Sequence, residues 1–186
     1  MKKLTRNTAT LCAVLVSSCL ILGSCSKAPT EASSGYVILD NEYVDYTFEY
    51  PEDWETVENS GMVMVKAPKD NVSISCTTFD VKTETVESYW YGDGTEENKG
   101  FFDYFKSTLG GTVEVISEEE TSLGEEQAPA LSVTYTATMG ENVYKLTQII
   151  GIYNGDAYTL TYTAKPDTHD TYKGALTHAL STFNFG

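Results

Sequence analysis

Positive charge, cysteine, histidine and long apolar runs are all scarce in this chain, and each shortage excludes something. Twelve Lys and Arg stand against 27 Asp and Glu, a formal net charge of −15. No basic footprint for nucleic acid exists in such a chain. Cysteine occurs four times, but Cys12 and Cys19 lie within an N-terminal apolar segment and Cys25 closes it. Cys76 is then left alone in the body of the chain, and no internal disulfide can form there. A domain of this size buries enough apolar surface without one. Histidine occurs only as His169 and His178. If both are helical, nine steps of about 100° put them on opposite faces, so they do not share a metal or a substrate. With Cys76 besides, the ligands for a zinc site are too few. The one sustained apolar run, Leu11 to Leu22, is interrupted by Ser17 and Ser18. As a helix it covers about 18 Å, short of the roughly 30 Å hydrocarbon core of a bilayer. A permanent membrane-spanning helix is not expected.

The N-terminus carries Lys2, Lys3 and Arg6, then the apolar run, then Leu22-Gly23-Ser24-Cys25. This order resembles the signal of a bacterial lipoprotein, with its small residues before a cysteine. The resemblance implies removal of residues 1–24 and attachment of lipid to Cys25. The remaining chain has nine basic and 27 acidic residues, a net charge of −18. Adsorption to anionic headgroups is disfavoured by that charge, whereas cations and basic protein partners suit it. The plainer reading is that the charge keeps an exported protein soluble. Ser26 to Gly35 is small and polar and reads as a flexible tether. The expected organisation is therefore a signal over 1–24, a lipidated cysteine and tether over 25–35, and one domain over 36–186.

Strand patterns dominate that domain. Tyr46, Phe48 and Tyr50 alternate with Thr47 and Glu49 before Pro51. Met62 to Lys66 is a short apolar run, and Val72, Ile74 and Cys76 alternate with Ser73, Ser75 and Thr77. Val113 and Val115 continue the theme. Leu131, Val133, Tyr135 and Ala137 share one face, opposite Ser132, Thr134, Thr136 and Thr138. Period-two alternation of β-branched and aromatic residues predicts half-buried strands, in sheets that are usually antiparallel. Asn154-Gly155 suits a two-residue hairpin, and Gly140-Glu141-Asn142 suits the hairpin before it. The last three strands are expected as a meander over 129–138, 143–153 and 156–164. Helices are expected over about 83–91 and 96–109. A terminal helix is expected after Pro166, with Asp167 as its cap and an apolar stripe of Tyr172, Ala175, Leu176, Ala179, Leu180 and Phe183. Sheet plus helices in this order is an α+β fold.

Two segments carry a resemblance. Tyr46-Thr-Phe-Glu-Tyr-Pro-Glu-Asp-Trp54 is similar to the opening of PsbP-like domains. Ala157-Tyr-Thr-Leu-Thr-Tyr162-Thr-Ala, followed by a proline and a helix closing on Ser181-Thr-Phe183, is similar to their end. The resemblance covers about residues 36–186. It implies the Mog1/PsbP-type α/β/α sandwich, an antiparallel sheet flanked by helices. The family includes extrinsic photosystem proteins, a small-GTPase-binding protein and many bacterial lipoproteins, with no shared catalytic residue to carry over.

No catalytic constellation stands out. Gly-x-Ser-x-Gly and the Gly-rich phosphate loop are both absent. Cys76 shares a strand face with Val72 and Ile74 and reads as core, not as a nucleophile. Asp93 and Glu97 lie in a loop faintly like a calcium site, but the sixth position is Asn98 and the twelfth Tyr104, so it fails the EF-hand pattern. Glu118-Glu119-Glu120 and Glu125-Glu126 read as an acidic loop between two strands, a solvated loop tip in the plainer reading and otherwise a docking patch for a basic partner or divalent cation. In Tyr89-Trp90-Tyr91, Trp90 and Tyr91 are candidate contacts if they are exposed, because aromatics concentrate binding energy; otherwise the segment packs as core. No cofactor is expected. The expectation is a lipid-anchored, extracytoplasmic, non-enzymatic module for an envelope protein partner. The alternative is a cation or small-ligand module using the acidic loops.

Overall fold

A computed structural model describes residues 31–59, 62–81, 85–95, 99–109 and 111–186. The signal segment, Cys25 and residues 26–30 of the tether lie outside the described residues. The fold is mostly antiparallel sheet with few helices. Among the described residues, ten strands run β1 (Tyr36–Leu39), β2 (Tyr46–Pro51), β3 (Glu55–Asn59), β4 (Met62–Lys66), β5 (Ser73–Asp80), β6 (Val113–Leu123), β7 (Ala128–Met139), β8 (Asn142–Tyr153), β9 (Asp156–Ala164) and β10 (Asn184–Phe185). Helices α1 (Val86–Tyr91) and α2 (Phe101–Leu109) fall between β5 and β6, and α3 (Lys173–Ser181) between β9 and β10.

Seven strands form one sheet in the order β3-β4-β5-β9-β8-β7-β6, every neighbouring pair antiparallel. A second sheet of three strands has the order β1-β2-β10. The expected meander is present and slightly longer at its first strand. The β8–β9 hairpin turns on Asn154 and Gly155, at φ 52° and 93°, the doubly positive pair that a type I′ turn needs. The β7–β8 hairpin closes with Met139 opposite Asn142. Asn142 therefore belongs to the strand, and Gly140-Glu141 is the turn.

Alternation along the strands sorts side chains onto two faces. Leu131, Val133, Tyr135 and Ala137 join Leu146 and Ile150 in one buried cluster, capped by Val86 and Trp90 of α1 and by the phenylalanines of α2. Ala130, Ile149, Leu160, Tyr162 and Cys76 point the other way, into a cluster completed by α3 and the three-stranded sheet. Cys76 is 1% exposed, and burial pushes its thiol well above the ordinary range, as fits a core residue and not a nucleophile.

Three expectations are corrected. The terminal helix begins at Lys173, not at Asp167, and no side chain caps it. Residues 166–172 instead form turns in which the amides of Thr168 and His169 donate to the Lys165 carbonyl, and His169 is buried in those turns rather than helical. The Phe101 helix starts where its apolar stripe starts. Glu49 is buried at 4% exposure rather than wet, because α3 and β10 cover that side of β2.

Candidate functional site

The acidic segment is a strand, not a loop. Glu118, Glu119 and Glu120 lie within β6, opposite Val133, Ser132 and Leu131 of β7. Only Glu125 and Glu126 sit in the connecting turn, where Gly124 and Gln127 take φ 76° and 53°. Glutamate is a poor strand former, which hides the strand in the sequence. At a sheet edge the cost is small, because the outer side faces water and charge blunts edge-to-edge pairing. β6 is such an edge, and residues 114–121 are exposed throughout. A register shift between Val115 and Ser117 bulges it and leaves Ile116 55% exposed.

The register sends Glu118 and Glu120 to the face that carries α1, and Glu119 to the opposite face. On α1, the Thr85 hydroxyl caps the helix by accepting from the Ser88 amide at 3.1 Å, and Gly92 at φ 70° ends it. Successive residues then diverge. Trp90 is wholly buried, its ring 4.9 Å from that of Phe102. It is therefore core and withdraws from the candidate contact residues: its indole completes the layer between α1, α2 and the sheet. Tyr91, the next residue, is 44% exposed, and its hydroxyl donates to Glu118 Oε2 at 2.6 Å. Partial burial and the charges of Glu118 and Glu87 push the Tyr91 phenol up to about 12.

Beside this pair lies a cavity of about 400 Å³, walled by Val86, Pro129 and Ile152 and flanked by Glu87 and Glu120. The structure thus joins Tyr91, Glu118 and Glu120, and adds Glu87, which belongs to no motif. Its cue is spacing: Glu87 and Tyr91 stand four apart and share one side of α1. Glu125 and Glu126 are not part of this group, since about 17 Å of extended chain separates Glu118 from Leu123 before the turn begins.

Asp93 has a local role: its Oδ1 accepts from the amide and hydroxyl of Thr95 at 2.9 and 2.7 Å. Its expected partner, Glu97, lies outside the described residues. Among the described residues, no group of three His, Cys, Asp or Glu side chains is placed to hold a metal ion, and no helix is long and apolar enough to cross a membrane.

Edge strand, paired helices and terminal helix define a fold class that known proteins share. The family profile described as PsbP matches residues 34–185, and the chain belongs to the PsbP family. The solution structure of cyanobacterial PsbP (CyanoP) from Synechocystis sp. PCC 6803 is similar, with a TM-score of 0.62 and 18% identity over 89% of this chain and 99% of that one. Mog1 is similar at a TM-score of 0.57 and 9% identity, over 81% of this chain and 95% of its own. LpqN of Mycobacterium tuberculosis, a protein involved in cell envelope biogenesis, aligns at a TM-score of 0.51 and 11% identity, over 75% and 82%. At these identities the likeness is one of fold. Among curated proteins the sequence finds no match.

Proposed function

We propose that the protein is a lipid-anchored, extracytoplasmic accessory module that docks a basic envelope protein along its acidic sheet edge and performs no catalysis of its own. Lipid on Cys25 holds it at the membrane surface, and the tether residues before Ser33, whose amide is bound to Glu49, supply reach. The domain is read as the α/β/α sandwich implied by the family resemblance, with α1 and α2 on one face of the main sheet and α3 on the other. The observation that carries the reading is the Tyr91–Glu118 hydrogen bond at 2.6 Å. It fixes a carboxylate on an exposed edge strand, beside an open cavity with Glu87 and Glu120 at its rim. Edge strands bind partners through free backbone groups, and the side chains around them choose which partner. Glutamates here repel a second copy of the same edge and favour lysine or arginine on another chain. LpqN, similar in fold, is described as involved in cell envelope biogenesis, and an envelope role for this chain is compatible with that.

The test is capture from native membranes after chemical cross-linking through a C-terminal tag, at two salt concentrations. One stoichiometric envelope partner is expected. Its yield should fall in Glu118→Gln/Glu120→Gln and at high salt, because rim charges act through screened attraction. Cys25→Ser should lose both membrane fractionation and the partner. A partner captured equally by the charge-neutralised variant would overturn the docking surface, and a Cys25→Ser chain still in the membrane fraction would overturn the anchor.

A further inference from the structure

The opposite face of the β6–β8 half of the main sheet holds a second groove, of about 310 Å³, between the sheet and α3. That volume sits at the small end of ligand pockets, which run from about 300 to 1,000 Å³. Elsewhere this face is packed with Ala128, Ala130 and Leu160. Here it carries hydroxyls instead: Ser132 and Thr134 on β7, and Thr147 on β8.

The two threonine hydroxyls are held in a fixed chain. Thr134 Oγ1 and Thr147 Oγ1 lie 2.9 Å apart, and Thr147 Oγ1 is 3.1 Å from His169 Nε2. His169 Nδ1 is 3.0 Å from Asp170 Oδ1, which in turn pairs with Lys145 at 3.6 Å. The Tyr162 hydroxyl donates to the His169 carbonyl at 2.6 Å and pins the turn from below. His169 is 3% exposed and Thr147 7%. Burial, with help from Lys145 and Lys173, keeps the imidazole below its ordinary range despite the neighbouring Asp170. The ring is thus neutral near pH 7 and fully engaged. It forms a rigid floor, not a free base.

Charge is distributed across the groove with a sign change. Lys145 and Lys173 stand on the β8 and α3 side, and Glu119 on the β6 side. Glu119 lies opposite Ser132, which lies opposite Ile149, so two strand spacings, about 10 Å, separate its backbone from that of β8. Lys173 and Glu119 make no ion pair among the described residues. Between the poles, Leu176, Leu180 and Ile116 form an apolar wall. A simple anion would leave Glu119 unmatched. A simple cation would meet two lysines. A ligand bearing both charges about an apolar body meets complementary groups at each end.

We propose that this groove binds a small zwitterion, an amino acid or short peptide, with its carboxylate at Lys173, its ammonium at Glu119, and its side chain against Leu176 and Leu180; Lys145 stays paired with Asp170. The test is titration of the full chain with the dipeptide Ala-Leu and with its N-acetylated and C-amidated forms. Binding is read by calorimetry and by the NMR signals of the His169 ring. Ala-Leu should saturate and shift those signals, and blocking either end should weaken binding by about tenfold or more, the loss of one charged hydrogen bond. Lys173→Gln should abolish the penalty for C-amidation alone, and Glu119→Gln the penalty for N-acetylation alone. Both residues are exposed, so the variants keep the fold. No saturation at millimolar dipeptide would overturn the proposal. So would equal binding of the blocked forms, or inorganic phosphate binding as tightly as the dipeptide.

Discussion

Glu49 shows how one residue escapes an alternation rule. In the sequence it is the polar partner between Phe48 and Tyr50, and so reads as solvated. In the fold its carboxylate is buried, accepting from the Ser33 amide at 3.2 Å and lying 2.7 Å from His178 Nε2. The Tyr36 ring stacks on His178 at 3.6 Å, so the cluster ties the start of the domain to α3. Burial works to raise the Glu49 pKa, but the hydrogen bonds from His178 and Ser33 outweigh it and hold the carboxyl below its ordinary value. A carboxyl depressed in the folded state contributes stability above its unfolded pKa and loses it as pH falls through the folded value. Glu49→Gln should therefore cost about 1–2 kcal/mol near pH 7. The gap to the parent chain should close on acidification below about pH 4.5, as followed by urea unfolding at several pH values. Tyr91 supports a second residue-level expectation. Its phenol should titrate near 12 and return toward the ordinary range in Glu118→Gln, as read by tyrosine-ring NMR. A Tyr91 titration unchanged by that substitution would mean that the 2.6 Å contact does not persist in solution.

At the scale of elements, the meander was legible because each strand carries its own alternation and each turn its own glycine or asparagine. β7 shows this best: Leu131, Val133, Tyr135 and Ala137 all enter one cluster. What the sequence hid was where charge or context overrides propensity. β6 is rich in glutamate and shows its strand only through pairing with β7. α3 starts late because residues 166–172 are recruited to bury His169, a tertiary demand that Asp167 as a helix cap does not reveal. The candidate site was half legible for the same reason. Tyr91 and Glu118 both stand out in the sequence, but their meeting depends on a register that no local pattern encodes. Trp90 and Tyr91 are adjacent in sequence and opposite in fate, since one helical step of about 100° separates core from surface. Trp90→Ala should cost about 3–5 kcal/mol, as large core truncations do, visible as a lower urea midpoint. A loss under about 1 kcal/mol would mean that α1 does not seal the sheet.

At the scale of the whole molecule, the main sheet has two edges of different character. β3 is short and tied to its neighbours: the Asn41 amide donates to Glu58 at 2.7 Å, and Thr56 meets the Tyr50 hydroxyl at 3.0 Å. β6 is long, acidic and uncovered among the described residues, with an apolar bulge in its first half. A chain of net charge −15 repels its own copies, which guards this edge against self-pairing while leaving it open to a basic strand or loop. The decisive measurement is site-specific photo-cross-linking in native membranes, with a photoreactive residue placed at Ile116 on β6 or at Val57 on β3. Both positions are exposed, at 55% and 36%. The account predicts an adduct to one envelope protein from position 116 and none from position 57. The same adduct from both positions, or from position 57 alone, would contradict it.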